Sequence, residues 1–280
     1  MYEISSATTK LNATAVTIEA DVKLQRIHSW LSPSDPSTNH SKALNQLHEG
    51  TGQWFVKGEA FTSFKEGKVP FLWLNGIHGC GKTVLSSSII EGLRQTLTDT
   101  SPMILYFYFD FNDNRKQTLE SAIRSLLWQM TKYSGSYPKE LEQLYGVCKD
   151  GRDEASEQAL IQTLDKALRG ANCVRIVFDA LDECTNRPVL LPWLTQLARE
   201  QTSNVQIIAT SRREHDIEVE FEKWLEKRAI MTLQQLDVDA DIAAYVGVRL
   251  RADPQLQRWR GKPKVQDEIE ASLMGKANGM

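Results

Sequence analysis

Residues 76–83 read GIHGCGKT and fit the spacing G-x-x-x-x-G-K-[ST] of a phosphate-binding loop. The loop follows the apolar run 71–74, which is typical of a buried strand, and it precedes a stretch from Val84 that is typical of a helix. A strand, a glycine-rich loop and a helix in this order are the context in which the motif binds phosphate. This feature restricts the chain to an α/β fold and predicts a nucleotide ligand.

The residue types in the loop suit a polyphosphate held by backbone N–H groups. Gly76, Gly79 and Gly81 permit a close approach of the chain and positive φ. A helix that starts near Lys82 directs unpaired N–H groups at the same phosphates. Lys82 is predicted to reach the β- and γ-phosphates, and the Thr83 hydroxyl to bind Mg²⁺. The alternative is a glycine turn followed by a surface lysine. The predicted nucleotide-binding residues are Gly76, Gly79, Cys80, Gly81, Lys82, Thr83 and Val84.

Strand-like and helix-like segments alternate from Pro70 onward. The apolar runs lie at 71–74, 103–109, 174–178 and 205–209, with a short further strand at 229–233. Helical patterns lie between them at 83–97, 116–132, 157–169 and 188–200, and outside them at 21–31, 38–49, 237–250 and 264–277. Near-continuous apolar strands are covered on both faces, and their alternation with helices implies right-handed crossovers. We therefore expect a three-layer α/β fold with a parallel sheet.

A second motif follows one of these strands, where residues 174–183 read VRIVFDALDE. Ligands of parallel sheets lie at the carboxyl ends of the strands, so Asp179 is predicted to lie beside the loop and to hold Mg²⁺ as a Walker B acid. Either Asp182 or Glu183 is then a candidate to orient or deprotonate an attacking water. The alternative for an acid after a strand is a helix N-cap.

A third motif ends the next strand, where residues 208–214 read IATSRRE. A cation at this strand end can reach a γ-phosphate, and we expect Arg212 to sense it. The alternative is that Arg212 and Arg213 are solvated loop charges or pair with Glu214 and Asp216.

Composition excludes several classes of function. The net charge of −3 gives no basic field for non-specific nucleic-acid binding. No apolar run approaches the roughly 20 residues that span a bilayer, and the first residues lack the features of a secretory signal. The four cysteines are scattered without C-x-x-C spacing, which favours a reducing, cytoplasmic compartment over a zinc or disulfide framework.

Together the motifs GIHGCGKT, VFDALDE and ATSRRE resemble the NACHT class of STAND signal-transduction NTPases. The segment WLSPSDPSTNHSKALNQLHEGTGQWF resembles the linker of fungal members, the nephrocystin-3-like N-terminal domains of heterokaryon-incompatibility and ankyrin-repeat proteins. The resemblance covers about residues 26–280. It implies binding of ATP or GTP, a nucleotide state that acts as an assembly switch, and a five-stranded core in the order 5-1-4-3-2. It leaves the choice between ATP and GTP open.

The resemblance also implies a division of the chain. We expect a mobile segment at 1–20, a helical linker region at 21–67, the NTPase core at 68–235 and the start of a helical subdomain at 236–280. Relatives usually continue into further domains, so we expect a truncated product or a fragment. The expected activity is weak NTP hydrolysis within a switch that forms homo-oligomers or binds other signalling proteins. The alternatives are a non-catalytic module that holds nucleotide and a small-molecule P-loop kinase.

Overall fold

The computed structural model describes residues 18–47, 50–95, 102–134, 137–199, 204–233 and 262–277. The strands are β1 Phe71–Asn75, β2 Met103–Tyr108, β3 Val174–Asp179, β4 Val205–Ser211 and β5 Ile230–Thr232. The first helices are α1 at 18–31, α2 Ser37–Gln46, α3 Gln53–Val56, α4 Glu59–Lys65 and α5 Lys82–Arg94. The later helices are α6 Leu119–Ser134, α7 Lys139–Val147, α8 Glu157–Gly170, α9 Arg187–Arg199, α10 His215–Glu222 and α11 Pro263–Ala277. Short 3₁₀ turns lie at Asn114–Lys116, Leu181–Glu183 and Lys227–Ala229.

The five strands form one parallel sheet in the order β2-β3-β4-β1-β5. This is the predicted order 5-1-4-3-2 read from the other edge, so the predicted fold class is confirmed. β1 and β3 are both neighbours of β4, with Leu74 opposite Thr210 and Phe178 opposite Ala209. The register therefore brings the ends of β1, β3 and β4, which carry the three motifs, to one edge of the sheet.

The sheet is covered on both faces, as β1 illustrates. All of its residues are buried. Leu72 and Leu74 belong to a cluster that includes Ile89 and Ile90 of α5, while Phe71 and Trp73 meet the ring of Phe221 from α10 at centroid distances of 5.1 and 5.4 Å. This double burial explains why the strand sequences are almost continuously apolar.

The described residues form two compact units. The larger contains those of Pro36–Leu119 and Asn172–Met280, and holds the sheet and all three motifs. The smaller contains those of Met1–Asp35 and Glu120–Ala171. Within it, the Arg124 guanidinium donates to the Leu31 carbonyl at 3.0 Å, and the Trp30 indole donates to the Asp153 carbonyl at 3.0 Å.

Most predicted helices in the described ranges are present with shifts of a few residues at their ends, and the described part of α1 covers 18–31 where 21–31 was predicted. Among the described helices, α3, α4, α7 and α10 were not predicted. The predicted helix at 237–250 lies outside the described residues, and the predicted domain boundaries stay predictions. None of the helices in the described ranges is both long and apolar enough to cross a membrane.

Candidate nucleotide-binding site

The loop between β1 and α5 has the backbone that its glycines predict. Gly79 and Gly81 adopt positive φ of 79° and 82°, and Gly81 is the N-cap of α5. At Gly76 the constraint is space, because a Cβ there would lie 2.6 Å from the Cys80 sulfur. Each glycine therefore occupies a position that other residue types fill only with strain or displacement.

Lys82, at the start of α5, is folded over this loop. Its ammonium group donates to the carbonyl oxygens of Gly76 at 2.9 Å and Ile77 at 2.7 Å. The loop is also tied to β4, because the Gly76 N–H donates to the Ser211 carbonyl at 3.2 Å. The first turn of α5, which includes the half-buried Val84, thus presents its cation and its N–H groups on the same side of the sheet edge.

Asp179, at the end of β3, is the centre of a cluster of hydroxyl groups. Its Oδ2 accepts a hydrogen bond from Thr83 at 2.7 Å, and its Oδ1 accepts from Ser86 at 2.6 Å and from Thr210 at 2.7 Å. Burial raises the pKa of this carboxyl, and the three hydroxyl donors act in the opposite direction. The Thr210 oxygen also accepts from the N–H of Ala180 at 3.0 Å, so one hydroxyl joins β4 to both residues at the end of β3.

The Thr83–Asp179 pair fits a magnesium ion by its chemistry. The Thr83 proton is engaged by the Asp179 carboxylate, so the hydroxyl lone pairs point away from Asp179 and are available to a cation. Mg²⁺ in nucleotide sites is held by a few hard oxygen ligands together with phosphate oxygens and water. In the described part of the chain, no group of three or more His, Cys, Asp and Glu residues could hold a metal.

Asp182 contacts Arg212, the residue that was predicted to sense a γ-phosphate. Its Oδ1 accepts the Arg212 backbone N–H at 2.9 Å, and its Oδ2 lies 3.1 Å from the Arg212 Nε. The Asp182 side chain is only 6% exposed, whereas that of Arg212 is 40% exposed. This two-point contact fixes the direction in which the Arg212 guanidinium leaves the end of β4.

Glu183 faces a different neighbour. Its Oε2 accepts the backbone N–H of Phe111, in the loop after β2, at 2.9 Å. Burial raises the pKa of the Glu183 carboxyl, and the negative charges of Asp182, Asp110 and Asp179 raise it further, against the effect of the Phe111 N–H. Glu183 also lines a cavity of about 510 Å³, together with Phe111, Asp182, Cys184, Thr185, Arg187, Pro188, Arg212, Glu214 and Asp216.

Two members of this cluster were missed from sequence. Ser86 carries a signal in its spacing, because a residue three positions after Thr83 lies on the same helix face. Thr210 lies within the third motif, and its contact with Asp179 depends on the pairing of β3 with β4. In the neighbouring loop, the Asp113 side chain accepts the Arg115 N–H and caps the 3₁₀ turn at Asn114–Lys116.

The chain is similar to a known family, to a known protein and to a solved structure. The family described as "Nephrocystin 3, N-terminal" has a sequence model that matches residues 50–212. The chain is similar to the vegetative incompatibility protein HET-E-1 of Podospora anserina, with 25% identity over an alignment of 234 residues, and the match covers 81% of this chain and 17% of that protein. Among solved structures, Cdc6p of Pyrobaculum aerophilum aligns with a TM-score of 0.45 and 12% identity over 78% of this chain and 52% of the other. The chain thus spans less than a fifth of HET-E-1 and about half of the Cdc6p chain.

Proposed function

Because the chain belongs to the nephrocystin 3 N-terminal family, we propose that it binds a nucleoside triphosphate with Mg²⁺, hydrolyses it slowly, and uses the nucleotide state as an assembly switch. The observation that carries this proposal is the 2.7 Å hydrogen bond from Thr83 to Asp179. These residues lie 96 positions apart in the chain, and the fold brings the loop's hydroxyl onto the acid of the second motif. That pair is what a P-loop NTPase uses to place a metal ion beside the phosphates.

Each side chain then has a distinct task. Lys82 places its positive charge on the terminal phosphates, and Thr83 with Asp179 holds the metal ion, which supplies charge neutralisation when bound. Glu183 is the better candidate for the group that accepts a proton from the attacking water, because its raised pKa brings it closer to neutral pH. Asp182, whose carboxylate is occupied by Arg212, positions that arginine for the γ-phosphate.

The binding step is tested with Lys82→Ala. We expect this variant to lose measurable binding of magnesium ATP and magnesium GTP in calorimetric titrations, while its circular dichroism stays that of the unmodified chain. The matched control is Lys57→Ala, which removes an exposed lysine that follows α3 and lies outside residues 76–83. Equal affinity of Lys82→Ala and the unmodified chain would overturn the phosphate-binding assignment. The two titrations also decide between ATP and GTP.

The hydrolysis step is tested by single-turnover assays of two neighbouring variants. Glu183→Gln is expected to bind nucleotide normally and to lower the rate of hydrolysis by about 10²- to 10⁴-fold. Asp182→Asn is expected to leave the base in place and to act through the misplaced Arg212. If the unmodified chain bound nucleotide without measurable turnover, the domain would instead be a non-catalytic module that holds nucleotide.

The switch is the part of the proposal that rests on similarity to HET-E-1, whose name assigns it to vegetative incompatibility. We expect the unmodified chain to differ in oligomeric state between a non-hydrolysable triphosphate analogue and the diphosphate. Light scattering after size-exclusion chromatography measures this difference, and Lys82→Ala should abolish it. The same mass in both nucleotide states would contradict a switch within this chain and leave the binding step unaffected.

A further inference from the structure

A buried chain of hydrogen bonds leads from helix α2 into the first turn of α5. The His40 Nδ1 lies 2.9 Å from the Tyr108 hydroxyl, which lies 2.8 Å from the Ser87 hydroxyl. The Ser87 oxygen is also 3.2 Å from the backbone carbonyl of Thr83. His40 is 4% exposed, Tyr108 is 1% exposed and Ser87 is fully buried. Three side chains from three elements thus connect α2 to the residue that is proposed to hold the metal ion.

The partners of His40 set the direction of these hydrogen bonds. Its Nε2 lies 3.1 Å from the Glu91 carboxylate and 3.3 Å from the Arg94 Nη1, and that Nη1 donates to the same Glu91 oxygen at 2.8 Å. Because the Arg94 N–H is engaged by Glu91, we assign the ring proton to Nε2, which donates to Glu91, and Nδ1 is then an acceptor. Tyr108 then donates to His40, and its oxygen accepts from Ser87. A serine has a single hydroxyl proton, and with this assignment Ser87 directs it to Tyr108 at 2.8 Å, the shorter of its two contacts, rather than to the Thr83 carbonyl at 3.2 Å.

The surroundings of His40 favour the neutral imidazole with its proton on Nε2. Burial lowers the pKa of His40, and the Arg94 cation lowers it further, while the hydrogen bond to Glu91 raises it. Burial also raises the pKa of the Tyr108 phenol, which therefore keeps its proton. The other ring near His40 is Tyr106 on β2, at a centroid distance of 5.2 Å.

The release of the Thr83 carbonyl has a consequence for helix geometry. A serine that donates to the carbonyl four residues earlier competes with the helix's own hydrogen bonding and often bends it. Here that carbonyl belongs to the first turn of α5, the turn that carries Lys82 and Thr83. Removing the Tyr108 hydroxyl would return the Ser87 proton to Thr83 and shift this turn.

We propose that His40 and Tyr108 are positioning residues of the nucleotide site, which direct the Ser87 hydroxyl proton away from the Thr83 carbonyl and so set the direction of Lys82 and Thr83. The proposal rests on the proposed nucleotide binding. It extends the site to α2, which precedes the residues 50–212 matched by the family.

The test is the affinity for magnesium nucleotide, measured by calorimetry with whichever of ATP and GTP the unmodified chain binds. Tyr108→Phe removes only the hydroxyl, and we expect the dissociation constant to rise about two- to tenfold. Tyr106→Phe is the matched control. It removes the hydroxyl of another tyrosine on the same strand, beside Arg94, and we expect less than a twofold change.

A double-variant cycle separates positioning from general loss of stability. In the background of Ser87→Ala no proton can return to the Thr83 carbonyl, so Tyr108→Phe should then leave the dissociation constant unchanged. His40→Asn keeps an acceptor near the place of Nδ1 and should retain affinity, whereas His40→Leu should match Tyr108→Phe.

Two results would overturn the inference while leaving nucleotide binding intact. One is an affinity of Tyr108→Phe equal to that of the unmodified chain. The other is an effect of Tyr108→Phe that is equally large in the Ser87→Ala background. If Tyr108→Phe did not fold, His40→Leu and His40→Asn would be compared instead, and equal affinities of these two variants would overturn the inference. A lack of nucleotide binding by the unmodified chain would overturn the proposed function and this inference together.

Discussion

The contribution of the Thr210 hydroxyl to the cluster around Asp179 can be tested by measuring the free energy of unfolding. Thr210 is fully buried, donates to Asp179 at 2.7 Å and accepts the Ala180 N–H at 3.0 Å. Ala180 has the left-handed backbone values φ 58° and ψ 53°, which are uncommon for a residue with a side chain. The hydroxyl therefore supports both the acid and the strained turn that follows it.

Thr210→Val keeps the shape of the side chain and removes both hydrogen bonds. The lost donation to the carboxyl is worth about 1–3 kcal/mol, and the unpaired Ala180 N–H costs about 1–3 kcal/mol more. The new buried methyl group returns about 0.8 kcal/mol. We therefore expect the free energy of unfolding of the sheet unit to fall by about 1–5 kcal/mol.

Denaturant unfolding without nucleotide, followed by tryptophan fluorescence, measures this change. Trp73 is a suitable reporter because its indole N–H donates to Ser211, the residue after Thr210, at 2.8 Å. The control Thr210→Ser keeps the hydroxyl and should lose no more than about 1–1.5 kcal/mol, the cost of one buried methyl group. If Thr210→Val and Thr210→Ser were equally stable, the argument from these hydrogen bonds would be refuted.

The remaining predictions concern the base, the buried histidine and the loop. The pKa of Glu183 is raised above 4.5, and a general base must be ionised to accept a proton. The single-turnover rate of hydrolysis should therefore fall as the pH decreases, with an acid limb centred above 4.5. Equal rates for Glu183→Gln and the unmodified chain would contradict this role. Because the folded-state pKa of His40 is depressed below 6.5, its contribution to stability is present above pH 6.5 and is lost as pH falls through the folded value. His40→Asn should flatten this dependence in unfolding curves recorded between about pH 5 and 7.5. Gly76→Ala should weaken nucleotide binding, since its Cβ would lie 2.6 Å from the Cys80 sulfur, and unchanged affinity in calorimetry would show that the loop can adjust.

The sequence predicted the sheet well because burial on both faces leaves a strong signal in each strand. Its predicted order came from the family resemblance and not from the strands themselves. The helices that were missed have weaker signals. Helix α7 follows Pro138 and has no side-chain N-cap, and the apolar residues of α10 are confined mainly to Ile217 and Phe221, in an otherwise charged stretch.

Each motif predicts where a candidate residue stands along its strand, and the roles of these residues in a site stay predictions. A motif specifies that a residue such as Asp179 stands at a strand end, but not which hydroxyl groups from other elements meet it. The contacts of Ser86 and Thr210 with Asp179 depend on the packing of α5 on the sheet and on the pairing of β3 with β4. The buried His40 was out of reach for the same reason, since its partners lie 51 and 68 positions away.

The order of the strands explains why two adjacent acids have different partners. β3 lies between β2 and β4, and the turn after it places consecutive side chains in different directions because a 3₁₀ turn advances about 120° per residue. Asp182 therefore meets the end of β4 and holds Arg212, while Glu183 meets the loop after β2 and the N–H of Phe111. Sequence reasoning could not choose between the two acids because the choice is made by their neighbours in the sheet. It follows that exchanging the two residues would preserve the charge of the motif and still disrupt both contacts, since Glu is longer than Asp by one methylene group and each acid would face the other's partner.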